Sequence, residues 1–189
     1  MYTEREYWSN RLKNVGSVNT SPASIDSVNP RESSFLVQNI KAGDIVLDYG
    51  VGGGRLFPVY NSILPIVTGW DIADFTTLIE DQREKYNKFW YKHIVSDKDI
   101  WDCNYKDEYF DVLVSLSVFT HIRHERIEKT FRELMRISKK VLLSAYDDVP
   151  LKITDDSYCF LHDYKKLFES YQVIDIFKIN KFSYFTIIK

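Results

Sequence analysis

The sequence predicts an α/β fold, a mostly parallel β-sheet covered by helices on both faces and closed by an antiparallel strand. Three observations carry this. From residue 44 onward, short apolar runs alternate with segments of helical spacing, and strand–helix–strand alternation implies a parallel sheet buried on both sides. The first apolar run, Ile45–Tyr49, stops at a cluster of glycines: Gly50, Gly52, Gly53 and Gly54 are four of only seven in 189 residues. The last two apolar runs, 171–179 and 182–188, are joined by a short connection around Asn180. Parallel neighbours need a crossover of a dozen or more residues, so the final strand must run antiparallel to the one before it.

The elements follow in order. Residues 4–13 read as a short helix carrying Tyr7, Trp8 and Leu12, and residues 14–34, rich in Ser, Asn and Pro, read as loop or lid. Residues 1–40 are therefore expected to be an N-terminal helix and lid segment packed on a core domain of residues 41–189. In that domain Ile45–Tyr49 is the first strand. Residues 55–64 form a short helix that tolerates Pro58 in its first turn. Residues 66–70 form the second strand, ending at Asp71. Residues 73–88 form a helix with Phe75, Leu78, Ile79, Gln82 and Tyr86 on one face, and residues 89–95 a third strand ending before Asp97. Residues 110–116 are β-branched and nearly all apolar, a buried fourth strand. Ile127, Phe131, Leu134 and Met135 recur at helical spacing within 122–138. A fifth strand over 140–145, a short helix over 163–170 and the two closing strands complete the chain.

Composition excludes several classes. A chain that is 44% hydrophobic, 28% charged and 15% aromatic, with 13 Tyr and 12 Phe, can bury a large core in one domain. No apolar run approaches the ~20 residues of a membrane span, and the charged N-terminus lacks the apolar segment of a signal peptide. Cys103 and Cys159 have neither metal nor disulfide spacing; free thiols in a reducing cytoplasm are expected. The net charge of −2 argues against a strong binder of phosphate backbones. The mixed-sign run Arg123-His-Glu-Arg126 reads as a solvated helix face.

The glycine loop Asp48-Tyr-Gly-Val-Gly-Gly-Gly-Arg55 lies where open α/β sheets bind ligands, at the carboxyl end of a strand and before a helix whose N-terminus offers N–H groups to an anion. A dinucleotide loop, G-x-G-x-x-G, would place its third glycine at position 55, which is Arg. The Gly-Lys-Ser/Thr of a phosphate P-loop is absent. The next acidic residue at a strand end is Asp71, 17 residues after Gly54. A carboxylate there can accept hydrogen bonds from both hydroxyls of a ribose.

Val46-Leu-Asp-Tyr-Gly-Val-Gly-Gly-Gly-Arg55 resembles the first motif of the Rossmann-like (class I) S-adenosylmethionine-dependent methyltransferases. Gly69-Trp-Asp-Ile-Ala73 is similar to that family's ribose-binding strand end. Residues 109–122 are similar to its fourth strand and following turn, and Leu161-His-Asp-Tyr-Lys-Lys-Leu-Phe168 to its late helix. The resemblance covers residues 44–189. It implies a doubly wound seven-stranded sheet of order 3-2-1-4-5-7-6 with the last strand antiparallel, and S-adenosylmethionine as cofactor, leaving S-adenosylhomocysteine as product. By position it implies that Asp48, Gly50, Gly52 and Gly54 line the methionine and ribose, that Asp71 binds the ribose hydroxyls and that Ile72 lies against the adenine. Asp97, in preference to Asp99, is the carboxylate near the adenine amino group. Ile100 or Trp101 walls the adenine, and Ser115 and Leu116 sit beneath the sulfonium.

A sulfonium methyl is already activated, so alignment is the main requirement, and positioning can supply roughly 7–11 kcal/mol of a barrier. A general base is needed only for an acceptor that must lose a proton. The candidate is His121, just after the fourth strand, with capping or packing of the turn as its alternative role. Tyr146, Asp147 and Asp148 follow the fifth strand and are candidates to shape the acceptor pocket or to form a turn before Pro150. His162 and Asp163 read as helix caps, His93 as an ordinary strand residue and Arg55 as a helix-start residue on the surface. Tyr7 and Trp8 either cover the cofactor or pack on the sheet. No Asn-Pro-Pro-Tyr follows the fourth strand, where Ser115-Leu-Ser-Val118 stands instead. A small-molecule acceptor of methyl on O or N is therefore expected over nucleic acid or protein, without membrane attachment, with specificity drawn from residues 1–40 and 146–162. Two other classes remain open: another S-adenosylmethionine or nucleoside enzyme on this fold, and a non-catalytic cofactor-binding partner subunit. Oligomeric state is open.

Overall fold

The computed structural model describes residues 3–15, 28–86, 88–96, 98–146, 159–179 and 182–189. The strands are β1 (Ile45–Tyr49), β2 (Ile66–Asp71), β3 (Trp90–Val95), β4 (Val112–Leu116), β5 (Lys140–Tyr146), β6 (Gln172–Ile179) and β7 (Phe182–Ile188). They form a seven-stranded sheet in the order β3-β2-β1-β4-β5-β7-β6, the order the family resemblance implies. β7 runs antiparallel to both β5 and β6, as the short final connection requires. The helices are α1 (Glu4–Val15), α2 (Pro30–Asn39), α3 (Phe57–Ile63), α4 (Thr76–Lys85), α5 (His124–Ile137) and α6 (Tyr164–Leu167), with 3-10 turns at Ile100–Asp102 and Phe119–His121. The chain divides into two compact units, residues 1–97 and 98–189.

In the first unit β2 pairs in parallel with both β1 and β3. Val46, Leu47, Asp48 and Tyr49 are all buried, which is why β1 reads as a continuous apolar run rather than an alternating one. Tyr49 and Trp70 are register partners and their rings stack, with centroids 4.7 Å apart. Phe57, Phe89 and Tyr91 form an aromatic cluster. Gly69 is required by that cluster, because a Cβ at this position would collide with the Tyr91 hydroxyl and lie 2.9 Å from its Cζ.

Several helix boundaries differ from the sequence expectation, three of the helix starts for a clear local reason. Residues 30–34, expected as part of a loop, open α2. The Asn29 side chain accepts a hydrogen bond from the Arg31 N–H at 2.9 Å and Pro30 occupies the first turn, the N-cap and N1 pairing that starts helices. α3 begins at Phe57 rather than Arg55, since the chain through Gly54 is still turning. α4 begins at Thr76 rather than residue 73, because the Asp74 carboxylate captures the Thr76 N–H at 3.0 Å and fixes a turn there. Of its expected apolar face only Ile79 and Gln82 are buried. α1 extends to Val15, and residues 16–27 of the expected lid lie outside the described residues.

In the second unit β4 pairs in parallel with β5, and every residue of β4 is buried. α5 buries Ile127, Phe131, Leu134 and Met135, the face that the sequence spacing marks. Phe131 meets Phe119 and Phe168, and Phe168 meets Phe185 on β7. The run Arg123–Arg126 is not simply a solvated face: Arg126 pairs with Asp99 and lies over the Trp101 ring. Asp163 caps α6 by accepting from the Lys166 N–H at 3.0 Å, as expected. His162 instead donates its Nε2 proton to the Phe119 carbonyl at 3.0 Å.

Candidate functional site

The glycine loop is docked on the end of β2 by the main chain. The Gly50 and Val51 N–H groups both donate to the Trp70 carbonyl, at 2.8 and 3.2 Å. The Gly52 N–H donates to Asp71 Oδ2 at 2.9 Å, and the Ala73 N–H to Asp71 Oδ1 at 3.0 Å. Gly52 and Gly54 hold φ of +53° and +80°, values that penalise a side chain. A Cβ at Gly54 would also press on the Phe57 ring at 3.1 Å, whereas one at Gly52 would meet nothing within 4 Å. The loop therefore turns tightly and presents bare backbone at Gly52. Its amides at 50–52 are engaged by the end of β2, and α3 is only seven residues long.

The electrostatics are acidic. Glu32, Asp48 and Asp71 are buried carboxylates, exposed by 3%, 3% and 7%. Arg55 makes a two-pronged ion pair with Glu32, one prong at 3.2 Å. This corrects the expectation of a surface residue at a helix start: the Arg55 side chain ties the glycine loop to α2. Among the described residues Asp48 and Asp71 have no such ion-pair partner of their own. Burial pushes Asp48 up to about 7. Tyr60 and Arg55 lower it, and Asp71 and Glu32 add to the rise. The Tyr60 hydroxyl lies close enough to act on Asp48 but makes no hydrogen bond of ordinary geometry. Burial likewise pushes Asp71 up to about 6, opposed by the N–H groups of Ala73, Gly52 and Ile72. Tyr60 and Tyr91 are both raised by burial and by the nearby Asp48 charge. Glu32, Tyr60 and Tyr91 are the members of this cluster that sequence reading missed.

In this unit Asp48, Gly50, Gly52, Gly54 and Asp71 come together at one strand end, and Ile72, half-buried, follows directly. Asp97 lies outside the described residues. A cavity of about 360 Å³ lined by Glu80, Arg83, Glu84, Tyr86, Phe89 and Tyr91 contains none of the predicted site residues.

In the second unit Ile100 is buried in its 3-10 turn, and Ser115 and Leu116 are buried at the end of β4. Asp99 is engaged by Arg126. Trp101 carries the Lys129 ammonium 4.2 Å from its ring centre. Ser117, immediately after β4, holds φ of +64° and donates its N–H to Ser144 Oγ at 2.8 Å; a non-glycine residue in this region is a mark of a constrained turn. His121 ends the 3-10 turn that follows, with Cys159 Sγ 3.7 Å from its Nδ1. Tyr146 is half-buried at the end of β5, its ring against Phe182, and burial followed by the nearby Cys159 raises its pKa. Asp147 and Asp148 lie outside the described residues. Among the described residues no cluster of His, Cys, Asp or Glu is arranged to hold a metal ion, and no helix is long and apolar enough to cross a membrane.

Residues 47–141 match the model of the methyltransferase domain family. No curated protein sequence matches the chain. Solved structures do. A SAM-dependent methyltransferase from Aquifex aeolicus is 15% identical over the whole of both chains, with a TM-score of 0.70. The Burkholderia thailandensis 1,6-didemethyltoxoflavin-N1-methyltransferase, with its substrate and S-adenosylhomocysteine bound, is 13% identical with a TM-score of 0.76, over 100% of this chain and 91% of that one. The magnesium protoporphyrin IX methyltransferase of Synechocystis PCC 6803 is 15% identical with a TM-score of 0.71, over 98% and 97%.

Proposed function

We propose, because this chain belongs to the Rossmann-like family of S-adenosylmethionine-dependent methyltransferases, that it methylates a nucleophilic oxygen or nitrogen of a small molecule. The chain is an enzyme, and S-adenosylmethionine is its cofactor. When bound, S-adenosylmethionine supplies a methyl group already activated on a sulfonium.

The observation that carries the placement of the cofactor is the acidic strand end. Among the described residues three buried carboxylates stand there beside one guanidinium. An environment with that excess of negative charge suits a ligand bearing a cation at sulfur and opposes pyrophosphate. Asp71 fits the ribose role: an ionised carboxylate has about four acceptor positions, and the hydrogen bonds from the Gly52 and Ala73 N–H groups occupy two of them. Bare backbone at Gly52 lets a ligand lie against the loop, and Asp48, Gly50 and Gly54 complete that side, with Ile72 next to the adenine. From the second unit, the family's motif order assigns Ile100, Ser115 and Leu116 as further contacts. Asp97 keeps the adenine amino group, since Asp99 is held by Arg126.

Support for a small acceptor comes from the acidic net charge, from the missing Asn-Pro-Pro-Tyr, and from the small-molecule substrates of the toxoflavin-precursor and magnesium protoporphyrin methyltransferases. For an acceptor that must lose a proton, His121 is the base, since an imidazole is the side chain most often used for such transfer; Tyr146 and Asp147 shape the acceptor side.

Methyl-labelled S-adenosylmethionine, offered with panels of small hydroxyl and amine compounds and with nucleic acid and protein, tests this. Label is expected in a small compound; label in a polymer alone would overturn the acceptor class. With that acceptor, His121→Ala is expected to keep donor affinity within about twofold and to lose roughly 10²–10⁴ in turnover. Loss of donor binding would show that His121 is misplaced.

A further inference from the structure

We infer that Cys159 is a positioning residue for His121: its sulfur engages Nδ1, so that the acceptor's proton is taken at Nε2. This rests on the reading of His121 as the base.

The contact is built by the chain on both sides of it. β4 ends at Leu116, and the next N–H, that of Ser117, goes to a side chain, Ser144 Oγ, at 2.8 Å. Two main-chain bonds then close the turn that carries His121. Its own N–H donates to the Val118 carbonyl at 2.8 Å, and the Ile122 N–H to the Phe119 carbonyl at 3.1 Å. Phe119 and Thr120 are buried, which fixes the backbone beneath a half-buried His121. Residues 159–162 are fastened across this turn. The Phe160 N–H donates to the Thr120 carbonyl at 2.6 Å, and His162 Nε2 to the Phe119 carbonyl at 3.0 Å. Phe160 is itself buried, its ring against His124 and beneath the Arg123 guanidinium. Those two bonds bring Cys159 to His121, and its Sγ lies 3.7 Å from Nδ1, within hydrogen-bonding reach of a sulfur. Cys159 is also close to Tyr146, which the proposed function places on the acceptor side.

The chemistry of the ring decides the rest. A neutral imidazole has one N–H and one bare nitrogen, and only the bare one takes a proton. Nδ1 faces a sulfur of the protein, so an acceptor meets Nε2. A base working at Nε2 carries its ring proton on Nδ1, and Cys159 Sγ is the atom that this proton meets. Sulfur is a weak acceptor, and the bond strengthens when the ring becomes a cation, because hydrogen bonds from an ionised donor are stronger. Nε2 takes the proton that the acceptor's O–H or N–H gives up, the ring becomes imidazolium with its Nδ1–H held on sulfur, and solvent water then removes the proton from Nε2. The other cysteine has a different partner: the Cys103 thiol donates to the Asp99 carbonyl at 3.7 Å, which makes it the control.

Nitrogen-15 correlation spectra of the four histidine rings, with His121 assigned by its loss in His121→Ala, read the ring protons without an acceptor. At about pH 8.5, roughly two units above the ordinary imidazole value, wild-type His121 is expected to carry its proton on Nδ1. Cys159→Ala should move most of it to Nε2. Cys159→Ser should keep it on Nδ1, because an oxygen accepts there, and Cys103→Ala should leave the ring unchanged. In methyl transfer, Cys159→Ala should lose roughly tenfold in kcat, part of the roughly 10²–10⁴ that a positioned base contributes, with KM unchanged, and Cys159→Ser should restore it. A wild-type His121 protonated on Nε2 overturns the inference, as does an unchanged ring in Cys159→Ala. The wild-type spectrum decides alone if that variant does not fold. Full turnover in His121→Ala would overturn the reading of His121 as the base, and the inference with it; lost turnover in that variant beside an unchanged ring in Cys159→Ala overturns the inference only.

Discussion

Asp71→Ala is expected to weaken S-adenosylmethionine binding by at least ~tenfold, about 1.4 kcal/mol or more, in a calorimetric titration. Two losses combine. The first is the pair of acceptors proposed for the ribose hydroxyls; hydrogen bonds to a charged group contribute about 1.5–3 kcal/mol each. The second is internal. The same carboxylate holds the Gly52 and Ala73 N–H groups, so its removal also releases the glycine loop from the end of β2. Asp71→Asn separates them, because an amide oxygen still accepts from Gly52 but no longer carries charge, and an intermediate loss is expected. Unchanged affinity in Asp71→Ala would remove this residue from the site.

Arg55→Ala is expected to be the most destabilising substitution around the loop, by about 3–5 kcal/mol in chemical denaturation. The asymmetry of burial sets the direction. Glu32 is 3% exposed and cannot reach solvent, whereas Arg55 is 19% exposed and its guanidinium can. Removing the cation takes the guanidinium away from a buried carboxylate. Removing the carboxylate in Glu32→Gln leaves an amide that still hydrogen-bonds and an arginine that can hydrate, and should cost well under half as much. In the double variant Glu32→Leu with Arg55→Met, much of the loss should return, since apolar groups of similar volume often replace buried pairs without penalty. Equal costs for the two single variants would contradict the assigned burial.

What was legible in the sequence is what local pattern determines. β1, β2 and β4 are buried along nearly their whole length, so their apolar runs mark their extent closely. The buried face of α5 repeats at 3.6 residues, and the short connection near Asn180 forces β7 antiparallel. The glycine cluster betrayed the loop because Gly52 and Gly54 need positive φ. The start of α2 was also visible, in Asn29-Pro30, but the surrounding Ser and Asn masked it as loop.

What was not legible depends on distance in sequence. Arg55 and Glu32 lie 23 positions apart, and no spacing rule connects them. Tyr60 and Tyr91 read as ordinary core aromatics until β3 and α3 bring them beside Asp48. That Asp48 carries a raised pKa follows from its burial, a property of the folded surroundings and not of the residue. Gly69 is a similar case: its need is set by the Tyr91 hydroxyl, a strand away.

The most direct measurement is a calorimetric titration of the folded wild type with S-adenosylmethionine near pH 8, where Asp48 and Asp71 are ionised. One saturable site per chain is the expected result. A folded protein that takes up no S-adenosylmethionine would contradict the reading of the glycine loop and Asp71 as its binding site.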